Sequence, residues 1–82
     1  MAKIDSFNYQ YSLLLRSAEE RLLGGFVSVY DLVKTRTLAQ SALRVDGRVA
    51  FVDVYAYAPR VAELEDQQPL QRVSLDDAEA ER

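Results

Sequence analysis

The sequence predicts an α+β fold: a small two-layer single domain with about three strands and a helix packed on the sheet. A stretch near the start alternates between apolar and polar side chains, a Val- and Tyr-rich stretch near residue 50 is apolar on both parities, and helix-forming sequence lies between them. The expected strands cover residues 7–15, 48–58 and 70–75, and the expected helices cover residues 18–23 and 29–44.

The first strand is predicted from the alternation over residues 7–15, which read FNYQYSLLL. Every odd position is apolar, whereas Leu14 alone is apolar among the even positions, and a period of two is typical of a half-buried strand. A helical interpretation competes, because Phe7, Tyr11 and Leu15 also fall on one side of a helix. One long helix over residues 7–23 therefore stays open as an alternative.

The short helix over residues 18–23 is predicted from its two ends. Ser17 lies three residues before Glu20, the spacing of a capping box, in which the serine caps the first turn and the glutamate reaches back to the serine N–H. Gly24 and Gly25 follow, and glycine commonly ends a helix because it adopts the left-handed conformation without a Cβ penalty.

The main helix is predicted over residues 29–44, with Ser28 as its N-cap and Asp31 near the positive end of its dipole. A rival interpretation places a strand over residues 26–33 and begins a shorter helix at Thr37. The helix is preferred because several apolar residues share one side of it, namely Val29, Leu32, Val33, Ala39 and Leu43.

The second half of the chain contains the clearest strand. Asp46 and Gly47 form a dipeptide typical of turns, and the Val- and Tyr-rich run over residues 48–58 follows until Pro59 ends it. Because both parities are largely apolar, this strand is expected to be central and covered on both faces. Residues 70–75 form a candidate edge strand. The domain is expected to span residues 1–75, followed by an acidic C-terminal tail over 76–82.

Composition excludes several classes of function. The chain of 82 residues is 49% hydrophobic and contains no Cys and no His, which excludes disulfides, Cys/His metal sites, thiol catalysis and imidazole chemistry. No nucleotide-binding or serine-hydrolase motif is present. We therefore expect no enzyme activity, no cofactor and no metal site. Without a signal sequence or a long apolar run, the expected location is the cytoplasm.

Charge is distributed unevenly along the chain. Residues 1–60 carry a net charge of +2 and residues 61–82 carry −5, which gives the overall −3. A nucleic-acid-binding domain usually has a clustered basic footprint and a high pI, whereas the pI here is about 4.8. Nucleic acid is therefore an unlikely partner on composition alone.

Tyrosine supplies the candidate binding residues. The chain has five Tyr and no Trp, and two predicted strands share a Tyr-x-Tyr spacing. If those strands pair, four rings are expected to cluster on one face, either as core under the helix or as an exposed patch for a protein partner. Asp53 lies on the same parity, where it could accept a hydrogen bond from a tyrosine or anchor a partner's Arg or Lys. The predicted partner-binding residues are Tyr9, Tyr11, Asp53, Tyr55 and Tyr57.

Three functions remain open from the sequence. The leading hypothesis is a non-catalytic protein–protein interaction module, a small regulator, adaptor or inhibitor that occludes a partner, as phage and mobile-element proteins can do. The first alternative is a self-assembling structural subunit, a homodimer formed by edge-strand pairing. The second is a nucleic-acid-associated regulator that places helix 29–44 in a groove. Its phosphate contacts would come from Lys34, Arg36, Arg44 and Arg48.

Overall fold

The fold is that of residues 10–75, the part of the chain that the computed structural model describes. It confirms the predicted class, since a sheet with one main helix packed on it forms a small α+β domain. The elements in chain order are β1 (Tyr11–Arg16), β2 (Leu22–Ser28), α1 (Leu32–Val45), β3 (Phe51–Ala56), α2 (Val61–Glu65) and β4 (Gln71–Ser74).

The sheet has four strands in the order β2-β1-β3-β4, and every neighbouring pair is antiparallel. β3 is central, as the sequence predicts, and β4 lies at one edge within the predicted 70–75 segment. β1 begins at Tyr11. Residues 7–9 of the predicted strand lie outside the described residues. The fourth strand is β2, which forms the other edge.

The predicted short helix over residues 18–23 is wrong, because this segment makes a hairpin loop and begins β2. Ser17 does act as a cap, but it caps a turn: its Oγ accepts hydrogen bonds from the backbone N–H groups of Glu19 and Arg21, both at 3.2 Å. Glu20 adopts a positive φ of 69°, which closes the loop. Serine hydroxyls stabilise turns and helix starts by the same bond, so the sequence pattern alone does not separate them.

The glycine pair allows two strands to approach closely rather than ending a helix. Gly25 lies opposite Leu14 in the β1–β2 pairing. A Cβ atom at Gly25 would lie 2.7 Å from the carbonyl oxygen of Leu13, a distance that real Cβ atoms essentially never show. A Cβ at Gly24 would meet only Leu15 Cδ1, at an ordinary 3.7 Å. The close approach therefore depends on Gly25.

Helix α1 begins three residues later than predicted. Its N-cap is Asp31, whose Oδ1 accepts a 2.9 Å hydrogen bond from the N–H of Lys34. Ser28, the predicted N-cap, is instead the last residue of β2, and its hydroxyl shares a 2.6 Å hydrogen bond with that of Thr35. This buried bond ties the edge strand to the helix. The body and the end of the helix agree with the prediction to within a residue.

The two faces of the sheet carry separate apolar clusters. On the face under α1, the buried residues are Leu13, Ala39, Leu43, Val49, Val52, Val54 and Val73. On the opposite face, Leu64 of α2 packs on Leu14 and Tyr55. Both faces of β3 are therefore covered, which explains why its sequence is apolar on both parities. Neither helix among residues 10–75 is long and apolar enough to cross a membrane.

Gly25→Ala is expected to lower the free energy of unfolding by roughly 1–3 kcal/mol, the usual cost of overpacking, because its Cβ would press against backbone that β1–β2 pairing holds in place. Gly24→Ala is the matched control and is expected to change stability by no more than about 0.5 kcal/mol. Denaturant unfolding of both variants measures the difference. Equal destabilisation by the two alanines would contradict the close approach at Gly25.

Candidate functional site

The described tyrosines do not form the predicted cross-strand cluster. Tyr11 lies opposite Ala56, and Tyr55 lies opposite Ser12. In this register an odd-numbered residue of β1 faces an even-numbered residue of β3, so residues of the same parity in the two strands point to opposite faces. Tyr11 is half-buried against the core under α1, whereas Tyr55 is buried on the other face.

The remaining predicted tyrosines do not restore a common surface. Tyr57 follows the end of β3 and is 47% exposed. Tyr9 lies outside the described residues. Among residues 10–75, Tyr57 is thus the one predicted partner-binding tyrosine with a largely accessible ring.

Asp53 is the centre of a buried ion-pair network within this chain. It is 1% exposed, and its Oδ2 accepts a 3.0 Å hydrogen bond from Arg16 Nε of β1. Arg72 of β4 donates through Nε to Oδ1 at 2.7 Å and through Nη2 to Oδ2 at 3.1 Å. Asp53 was a candidate anchor for an Arg or Lys of a partner. Its arginine partners instead come from the two neighbouring strands of the same chain.

The network extends to the hairpin loop. Arg72 also donates to both carboxylate oxygens of Glu20, at 3.1 and 3.0 Å, and its guanidinium lies over the Phe51 ring with 4.5 Å to the centroid. Asp53 and then Glu20 raise the pKa of Arg72, and hydrogen bonding to Arg72 lowers the pKa of Glu20. Tyr55 and then Asp53 raise the pKa of Arg16, against the effect of burial. Two arginines and two carboxylates balance in charge.

The cations of the nucleic-acid hypothesis do not form one patch. Lys34 and Arg36 are about 200° apart around α1, and Arg44 lies about 15 Å further along its axis than Lys34. Lys34 Nζ lies 4.5 Å from the centre of the Tyr30 ring. Arg48 is beyond the helix, where its Nη2 pairs with Asp46 at 2.9 Å. The structure therefore does not bring Lys34, Arg36, Arg44 and Arg48 together on one face.

The most exposed apolar strand is β2, which the predicted site did not include. Among residues 10–75, β2 pairs with β1 alone and forms an edge of the sheet. Residues 22–30 contain no charged side chain, and Val27 is 50% exposed. The sequence indicates this strand through its uncharged run LLGGFVSVY. The rival interpretation with a strand over residues 26–33 covered part of that run. The large apolar side chains exposed in this run are Leu22, Leu23, Phe26, Val27, Val29 and Tyr30.

An apolar cleft lies beside this edge. It has a volume of about 220 Å³ and opens between β2 and α2. The Leu14 side chain lies against Gly25, where a Cβ atom would be 3.1 Å from Leu14 Cδ2. The residues that line it come from β1, β2, α2 and the segment before α2: Ser12, Leu13, Leu14, Gly25, Phe26, Val27, Ala58, Pro59, Val61 and Leu64.

Within residues 10–75, no three acidic side chains lie close enough together to hold a metal ion. The comparisons with protein-family models, curated proteins and solved structures found no match to the chain. The β2 edge and the cleft beside it are therefore the candidate binding surface.

Asp53→Asn is expected to lower the free energy of unfolding by roughly 2–4 kcal/mol. The substitution removes the carboxylate that compensates the charges of Arg16 and Arg72. Because Arg72 is partly exposed to solvent, the loss of stability is smaller than for a fully buried pair. Asp46→Asn, which removes the carboxylate of the exposed Asp46–Arg48 pair, is the control and is expected to cost much less. Denaturant unfolding compares them, and equal losses would show that the buried network contributes no more than a surface pair.

Glu20 is expected to titrate below its ordinary range in the folded protein, because Arg72 lowers its pKa. A lowered pKa in the folded state means that this contribution to stability is present above the unfolded-state pKa and is lost as the pH falls through the folded-state value. Carboxyl NMR titration of wild type and Arg72→Gln measures the shift. An unchanged Glu20 pKa in the variant would contradict the assignment of its cause to Arg72.

Proposed function

We propose that this protein is a non-catalytic protein-binding module, a small regulator, adaptor or inhibitor that occupies a partner through the β2 edge. The mode of binding is strand addition: an extended segment of the partner pairs with β2 and enlarges the sheet. The observation that carries the proposal is a seven-residue edge strand without a single charge, lying beside an apolar cleft.

The contrast between the two edges supports this choice. Edge strands leave backbone N–H and C=O groups free to pair with another chain, and proteins usually protect them with short length or charge. β4 has both kinds of protection, since it contains four residues and carries Arg72. β2 is longer and has neither.

The cleft adds a basis for selectivity. In strand addition, the main-chain hydrogen bonds supply affinity and pockets for alternate side chains supply specificity. Val27 of β2 lines the cleft together with Leu14 and Leu64, so a side chain of the added strand can enter the cleft beside them. An apolar side chain suits this position, because the cleft wall is mostly aliphatic.

A cytoplasmic location completes the proposal and is supported by a sequence without cysteine. Binding to nucleic acid is not favoured, since the candidate cations are dispersed around and beyond α1.

Val27→Lys tests the proposal, because a charge on the exposed edge is a natural barrier to strand pairing. The matched control is Val45→Lys at the end of α1, where Val45 is 85% exposed. We expect immobilised wild type and Val45→Lys to retain the same protein from a cell lysate in stoichiometric amount, and Val27→Lys to lose it. Circular dichroism verifies that each variant is folded.

Retention of the same protein by Val27→Lys would count against the β2 edge as the binding surface. Failure of the wild type to retain any protein, including a second copy of the chain, would count against the binding function itself.

A further inference from the structure

We infer that the strand added to β2 is the β2 of a second copy of this chain, in an antiparallel pairing with Phe26 opposite Phe26 across a two-fold axis. This inference rests on the proposed role of the edge and specifies its occupant. A two-fold axis makes the interface self-complementary, since each copy offers the same strand. The product is one continuous eight-stranded sheet.

The glycine of β2 favours this register. With Phe26 opposite itself, Gly25 of each copy faces Val27 of the other. Both residues belong to the face of the cleft, and residues directly opposite on antiparallel strands have their side chains about 4.5–5.5 Å apart. Each valine then covers the position at which its neighbour has no side chain, and two half-exposed valines become buried.

Charge complementarity independently favours an antiparallel pairing of the two strands. Arg21 immediately precedes β2 and Asp31 is the third residue after it. The pairing that places Phe26 opposite Phe26 brings the Arg21 flank of each copy to the Asp31 flank of the other, so two ion pairs form.

Both charges are available for such a contact. Oδ1 of Asp31 accepts the helix-cap hydrogen bond from Lys34, while Oδ2 takes no hydrogen bond from residues 10–75. Arg21 uses its backbone N–H and C=O in the hairpin loop, and its guanidinium pairs with no carboxylate in the same range. The ends of the uncharged strand thus carry charges of opposite sign that form no ion pair within residues 10–75.

The helix leaves room for the pairing. α1 packs mainly over β1, β3 and β4 and contacts β2 at the Ser28–Thr35 hydrogen bond. Phe26, on the face of the sheet that α1 covers, remains 36% exposed. Two Phe26 rings can therefore meet across the axis without displacing α1. Aromatic cross-strand pairs of this kind stabilise antiparallel sheets.

Single cysteines test the register, because the chain has no cysteine of its own. Directly opposite residues of antiparallel strands have Cα atoms within the range of a disulfide, whereas diagonal neighbours are about 7–8 Å apart and fall outside it. Under mild oxidation we expect Phe26→Cys to form a covalent dimer and Val27→Cys, the matched control, to stay mostly uncrosslinked on non-reducing electrophoresis. A Val27→Cys dimer without a Phe26→Cys dimer would overturn the register.

Arg21→Glu tests the charge contact. Reversal places like charges at both flanks of the dimer, so its dissociation constant is expected to rise about tenfold. The control is Arg44→Glu, an equal change of charge about 20 Å from Asp31 along α1, which is expected to leave the constant within about twofold. Sedimentation equilibrium over a range of concentrations measures both. Equal weakening by the two variants would overturn the Arg21–Asp31 contact.

The same measurement separates this inference from the proposed function. A wild type that stays monomeric at the highest concentration it reaches in solution overturns the second copy as occupant. If that monomer still retains a different protein that Val27→Lys loses, the binding role of β2 stands with another partner. If Val27→Lys also changes no binding, both proposals fail.

Discussion

The carboxylate of Asp53 holds the sheet in its register. A buried charge is costly unless hydrogen bonds and opposite charges compensate it, and here the compensation comes from Arg16 on one neighbouring strand and Arg72 on the other. A shift of either strand by one residue would turn its arginine to the opposite face and leave the carboxylate unpaired. Through Arg72 the same constraint reaches Glu20 and positions the hairpin loop. The hairpin loop is thus linked by an ion pair to β4, at the far edge of the sheet.

The two edges of the sheet differ because different residues meet the neighbouring strand at each edge. On the β4 side, the arginine that compensates Asp53 also puts charge on the edge. On the β2 side, the close approach at Gly25 excludes a side chain, and the uncharged run leaves apolar groups in the open. The arginine that compensates Asp53 in the interior thus also puts charge on one edge, while the other edge is uncharged and its apolar side chains are exposed.

Much of the fold could be predicted from the sequence, and much of the site could not. Strong local signals gave β3, the body of α1, β4 and the two-layer class. The helix predicted after Ser17 is wrong, because a serine hydroxyl caps a turn as well as a helix. The predicted tyrosine cluster does not form, because the register of two paired strands decides which of their residues share a face. The Asp53 network determines that register, and the periodicity of each strand does not. The β2 edge was missed because its edge position is a property of the whole sheet.

The strand order also bears on the sequence of events in folding. β1 and β2 are joined by a short loop, and hairpins of this kind form in about microseconds. The β1–β3 pairing must bring together residues separated by the whole of α1, and such non-local closure is slower. The uncharged edge is therefore expected to exist before the core closes over its neighbour. Under the proposed self-pairing, nascent chains held close together on one messenger would expose this edge to each other first, so dimerisation and misassembly would begin from the same strand.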